Sequence, residues 1–227
     1  MINLTDYSEG LINKDGIWHA ASASEISYPA AGNEICYQIE ENSFWFKHRN
    51  NCILTAVKKY NKGQLFFDIG GGNGFVAKGL EASGVNTVLI EPGIQGCLNA
   101  RKRKLKNIVC ATLEYANFKK ASLPSVGLFD VVEHIENDVA FLKMIHSYLQ
   151  VNGKVYITVP AFNALWSNED VDAGHYRRYS LNALCTKLND NGFKVEYATY
   201  IFSILPVAVV LWLPLNRFRH KRPKWFG

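Results

Sequence analysis

The sequence predicts an α/β fold: a Rossmann-like three-layer sandwich, with a mostly parallel sheet and helices on both faces. Three observations predict it. Residues 65–80, LFFDIGGGNGFVAKGL, read as a buried strand, a tight glycine turn and a helix start. Apolar, β-branched runs then alternate with helical stretches down the chain, the pattern of parallel strands joined by crossover helices. The runs end on Asp68, Glu91, Asp130 and Pro160. Ligands of such sheets bind outside the carboxyl ends of the strands.

In chain order, residues 1–42 are mixed and poorly periodic. Glu40 to Tyr60 has helical character, with Ile53, Leu54 and Val57 at helical spacing behind the aromatic cluster Phe44, Trp45 and Phe46. That cluster packs on the domain or forms a lid over a cleft. After the glycine turn, Val85 to Ile90 is a second strand ending in Glu91. Ile94 to Lys104 is a helix whose basic end suits a helix C-terminus. Asn107 to Ala111 and Ser125 to Phe129 are further strands, Asn137 to Gln150 a helix, and Lys154 to Pro160 a strong strand. Residues 161–179 form a long loop, of the kind that often carries function. Ser180 caps a helix that stops at Gly192, and Phe193 to Phe202 reads as one more strand. No clear strand follows it, so the sheet is expected to lack its seventh strand or to borrow one from a partner. The expected divisions are residues 1–62, a segment and helix capping the cleft; 63–202, the Rossmann-like domain; and 203–227, an apolar then basic tail.

Composition narrows the function. The chain has 227 residues, 48% hydrophobic and 20% charged, which suits one ordinary globular domain with additions. The polar start MINLTDYSEG is not a signal peptide. Five scattered cysteines without a CxxC pair suggest a reducing cytoplasm. The formal charge of +5 is accounted for by Arg217, Arg219, Lys221, Arg222 and Lys224 in the tail. The body is therefore near neutral, and nucleic acid is not expected as a partner.

The chemistry starts at the glycine turn. Its spacing is D-x-G-x-G-x-G, not the G-x-G-x-x-G of dinucleotide enzymes. Gly70, Gly71, Gly72 and Gly74 permit positive φ and close approach to a ligand. Asp68 at the strand end suits a ligand with a cationic reacting end, such as S-adenosylmethionine. The alternative is a structural turn without a ligand. Glu91 stands where an acid meets ribose hydroxyls in such sheets, and Glu114 is a candidate for an adenine amino group.

LFFDIGGGNG, LIEPG, LFDVVEHIEND, LQVNGKVYITVP and GHYRRYS together resemble the class I S-adenosylmethionine-dependent methyltransferases, in the broad group that includes the ubiquinone-biosynthesis O-methyltransferases. The resemblance spans about residues 65–200. It implies cofactor contacts at Asp68, Gly70, Gly72, Gly74, Glu91 and Asp130; the stretch LEYANF departs from the usual pattern at Glu114. It also implies transfer of a methyl group to a hydroxyl of a small or lipid-linked acceptor. Asp130, Glu133 and His134 are spaced i, i+3 and i+4, and share a direction if a helical turn starts there. With His175 they offer two carboxylates and two imidazoles to a divalent metal. That pattern is similar to the metal site of small-RNA 3′-end 2′-O-methyltransferases, which keeps an RNA acceptor open. The rival is His134 as a lone general base, or as a structural residue shaping the cleft, with His175 the other catalytic candidate. Arg177 and Arg178 either anchor their loop to acids such as Asp170 or grip an anionic substrate. Other classes are a nicotinamide oxidoreductase, opposed by the glycine spacing, and a cofactor-binding module without catalysis.

The tail, residues 202–215, is apolar but short and broken by Pro206 and Pro214; basic residues follow. It suits a covering element, a homodimer interface or peripheral contact with the inner membrane surface from a cytoplasmic location.

Overall fold

The computed structural model describes residues 2–20 and 30–202. One sheet of seven strands organises them: β1 (Ile12–Lys14), β2 (Ile17–His19), β3 (Phe66–Ile69), β4 (Thr87–Ile90), β5 (Ile108–Cys110), β6 (Leu123–Phe129) and β7 (Leu149–Thr158). Their order is β1-β2-β5-β4-β3-β6-β7, with only β1 antiparallel to its neighbour. The predicted fold class holds, and seven strands are present.

Where the seventh comes from differs from expectation. The N-terminal residues, too short in each run to show a period, form the β1–β2 hairpin on the β5 edge. Phe193 to Phe202 is not a strand. It is held by side chains instead: Tyr197 stacks on Tyr60, Glu196 pairs with Lys154, and the Tyr200 hydroxyl accepts from the Leu181 amide. Its alternating valine, tyrosine and phenylalanine satisfy contacts of that kind as readily as a ladder. The predicted tail, residues 203–227, lies outside the described residues.

Strand alternation sorts the core into two sides. Phe67, Val88, Val109, Val126 and Leu128 meet Leu142 and Ile145 of α5 (Asp138–Tyr148) and Leu188 of α7 (Leu181–Asp190). On the other face Phe66 and Phe129 meet Ile53 and Val57 of α2 (Phe44–Tyr60) and Val76 and Leu80 of α3 (Phe75–Ala82). Leu89 and Ile108 meet Cys97 and Ala100 of α4 (Ile94–Lys102). A further helix, α1 (Ala30–Glu40), precedes α2. The long loop carries α6 (Asn168–Asp172), started by a capping box between Ser167 and Asp170.

Successive crossovers place β4, β5 and β2 to one side of β3, and β6 and β7 to the other. The direction reverses between β3 and β6, so their carboxyl ends splay apart and open a crevice. Asp68 and Asp130 sit at that point.

Candidate active site

The crevice has a donor end and a base end. At the donor end, β3 delivers Asp68 fully buried, and neither carboxylate oxygen has a hydrogen bond of normal geometry. Burial pushes its carboxyl up to about 7, with Arg49 opposing and the Glu91 charge adding. The turn that follows must be glycine for two separate reasons. A Cβ at Gly71 would lie 2.4 Å from Leu89 and 2.6 Å from Asp68 Oδ2, and Gly74 has φ +71° against Leu105 at 2.4 Å. Glu91 spans the same turn. Its Oε2 accepts from the Gly72 amide at 2.9 Å and its Oε1 from the Gly93 amide at 2.7 Å. Burial raises its carboxyl, and these two amides oppose the rise. Each oxygen keeps a second lone pair for a ligand hydroxyl. Glu114 is exposed on the turn after β5. Asp68, Gly70, Gly72, Gly74 and Glu91 are thus brought to one place.

This end fits S-adenosylmethionine on its own evidence. A buried carboxylate without a partner asks for a cation, and the glycine turn leaves no side chain between it and the crevice.

Asp130 departs from expectation. It takes φ +57°, and its carboxylate turns to Arg49 Nη2 at 2.7 Å while accepting from the Thr158 hydroxyl at 2.8 Å. Among the described residues, the ligating atoms that come together are those of Glu133, His134 and His175, without Asp130. Arg49 is buried on α2, four and eight residues before Ile53 and Val57. Sequence reasoning missed it, although a cation on the apolar stripe of an amphipathic helix is a detectable signal.

At the base end, a short 3-10 turn, Val132–His134, presents Glu133 and His134. Glu133 is fully buried with neither oxygen bonded, and burial, assisted by Asp130, raises its carboxyl to about 9. His134 packs edge-on against His175 with ring centroids 4.7 Å apart. Burial and the neighbouring His175 hold its pKa below the usual imidazole value. Among the described residues, ligating atoms of Glu133, His134 and His175 all lie within 4.8 Å of one another. Two imidazoles and a carboxylate are a donor set for a divalent ion, and the unbonded Glu133 carboxylate fits one.

His175 is held from behind. Its Nδ1 lies 2.9 Å from Oδ1 of Asp170, a residue 1% exposed. Arg178 grips the same carboxylate with Nε and Nη2, both at 2.8 Å. Arg178, His175 and the Ser167 amide outweigh its burial and bring Asp170 down to about 2. An ionised carboxylate only accepts, so Nδ1 carries the proton and Nε2 holds the free lone pair. Both arginines anchor the loop: Arg177 pairs with Asp138 at 2.9 Å and donates to the Ile135 and Glu136 carbonyls. Beside His175, Asn163, Trp166, Tyr176 and Arg177 line an open groove of roughly 330 Å³.

The methyltransferase domain family pattern matches residues 47–198. No curated protein matches the chain. Among solved structures, a phosphoethanolamine N-methyltransferase of Haemonchus contortus in complex with S-adenosyl-L-methionine superposes with a TM-score of 0.63 at 20% identity. The match covers 86% of this chain but only 51% of that one, so this chain spans about half its length. A putative methyltransferase of Haloferax volcanii, solved with the Trm112 activator, gives 0.63 at 17% identity, covering 76% of each. A possible histamine N-methyltransferase of Thermotoga maritima gives 0.55 at 22%, covering 71% of this chain and 81% of that one. At such identities the likeness shows the fold, and the family match supplies the rest. The chain belongs to the methyltransferase domain family, the class I S-adenosylmethionine-dependent enzymes built on this Rossmann-like sheet.

Proposed function

We propose that the protein transfers the methyl group of S-adenosylmethionine to a hydroxyl of a small or lipid-linked acceptor, with His175 as the base. The observation that carries this reading is the Asp170–His175 pair at the mouth of the crevice. A hydroxyl must lose a proton to become a good nucleophile, whereas a neutral amine attacks without one, so a half-buried and oriented imidazole is of most use to an oxygen acceptor.

Bound in the crevice, the cofactor supplies a methyl carbon already activated by its sulfonium for in-line displacement. Asp68 holds the cationic end, and Glu91 takes the ribose hydroxyls. The remaining work of the chain is positioning and proton removal. The Nε2 lone pair of His175 accepts the hydroxyl proton, and the Asp170 carboxylate stabilises the imidazolium that forms. The bidentate hold of Arg178 keeps Asp170 ionised and fixed.

A second reading uses the same residues. A divalent ion on Glu133, His134 and His175 would acidify a bound hydroxyl. Because Nδ1 is taken by Asp170, Nε2 serves as base or as ligand, not both. Exhaustive chelation separates them: undiminished activity removes the metal, and loss restored by Mg²⁺, Mn²⁺ or Zn²⁺ removes the free base.

The test is methyl transfer from labelled S-adenosylmethionine to a panel of hydroxyl and amine acceptors, soluble and lipid-linked. We expect label on oxygen, and His175→Ala to lower kcat by roughly 10²–10⁴-fold. Label confined to nitrogen would overturn the reading.

A further inference from the structure

We propose that the N-terminal end of α2 is a docking surface for an anionic lipid membrane, placed so that the crevice opens beside the headgroups. This deepens the lipid-linked acceptor reading and rests on it only for what a docked enzyme would methylate.

Phe44 is 76% exposed and Trp45 41%, side by side on the first turn of α2. Adjacent exposed aromatics of this size mark an interaction site more often than chance exposure. They are joined by Phe202: its ring stacks on Trp45 at 5.8 Å and 8°, and meets Phe44 and His48 at 6.4 and 4.6 Å. Lys47 is exposed on the same turn, and the nearby Glu41 carboxylate is directed to Arg103.

Phe202 is the last described residue, so the next stretch of chain starts at this patch. By sequence it is apolar through Leu215 and then carries Arg217, Arg219, Lys221, Arg222 and Lys224 without an acid. Exposed aromatic rings next to Lys47, in a chain whose sequence continues into an apolar run and a cluster of cations, match the chemistry of a membrane interface with an anionic leaflet. A second copy of the chain fits less well than an anionic surface, because it carries the same net charge of +5.

The patch also leads to the chemistry. Trp45 lies 5.8 Å from the Arg49 guanidinium, and Arg49 holds Asp130. One helical turn therefore separates the aromatic surface from the carboxyl end of β6.

The test is flotation of the full chain with phosphatidylcholine vesicles, with and without phosphatidylglycerol. Expected is binding to the anionic vesicles that weakens with salt. Replacing Phe44→Ser and Trp45→Ser together should lower partitioning by about tenfold or more. So should neutralising the five tail cations to Gln. If the double variant melts early, Phe44→Ser alone, at the more exposed position, should still show reduced binding. Flotation unchanged by the aromatic substitutions would overturn the proposal, as would failure of the full chain to bind anionic vesicles. A vesicle-independent dimer lost in the same variants would also overturn it, in favour of a second copy. Flotation needs no methyl transfer: a protein that floats but methylates nothing retires the O-methylation reading alone, and the converse retires only the docking surface.

Discussion

Asp68 states the problem of the site most sharply. A carboxylate with no partner is placed where water does not reach, and its proton is retained up to about pH 7. Its folded pKa is raised above the ordinary 3.8, so its contribution to stability is present in full below that value. It is lost as pH rises through about 7. Denaturant unfolding of the ligand-free protein between pH 4 and 8 should therefore show a loss on the order of 2–4 kcal/mol that Asp68→Asn removes. The same substitution should weaken S-adenosylhomocysteine binding by roughly 10–100-fold, because the ligand's ammonium loses its counter-charge. Asp170 is the opposite case. It is buried too, yet three donors keep it ionised, and Asp170→Asn should lower kcat while leaving cofactor affinity near wild type. A fall in cofactor affinity alone would make Asp170 a packing residue.

At the scale of elements, two supports hold the donor end. The glycine turn works because nothing stands between Asp68 and the crevice; Gly71→Ala would press a methyl onto Leu89 and the Asp68 carboxylate. We expect it to cost about 1–3 kcal/mol in thermal or denaturant unfolding and to abolish saturable cofactor binding. The other support is Arg103, buried at the end of α4, whose Nη1 donates at 2.8 Å both to Glu40 of α1 and to the Asn73 carbonyl in the glycine turn. Arg103→Gln leaves Glu40 buried without its counter-ion, at a cost of about 3 kcal/mol. Limited proteolysis should then cut near α1 faster than in wild type, and slower or equal cutting would deny the tie.

Across the whole molecule, legibility followed the length and repetition of the signal. The parallel strands were readable because each is a run of buried β-branched and aromatic residues closed by an acid or a turn. Asp68 and Glu91 were readable because a strand end in such a sheet is a ligand position. The β1–β2 hairpin was not, since three-residue strands show no period. Phe193–Phe202 misled because its composition is that of a strand while its contacts are made by side chains. Arg49 was hidden for another reason: its meaning lies in Asp130, 81 residues away, and only the fold brings that pair together; Asp170 was legible as an anchor for the loop arginines, but not as the partner of His175. No described helix is long and apolar enough to cross a membrane.

Calorimetric titration of the full chain with S-adenosylhomocysteine, and separately with NAD, tests the central claim most directly. The account predicts saturable one-to-one binding of S-adenosylhomocysteine, weakened by about tenfold or more in Asp68→Asn and in Glu91→Ala, with no heat from NAD. Binding of NAD in its place, or S-adenosylhomocysteine binding that neither substitution disturbs, would contradict it.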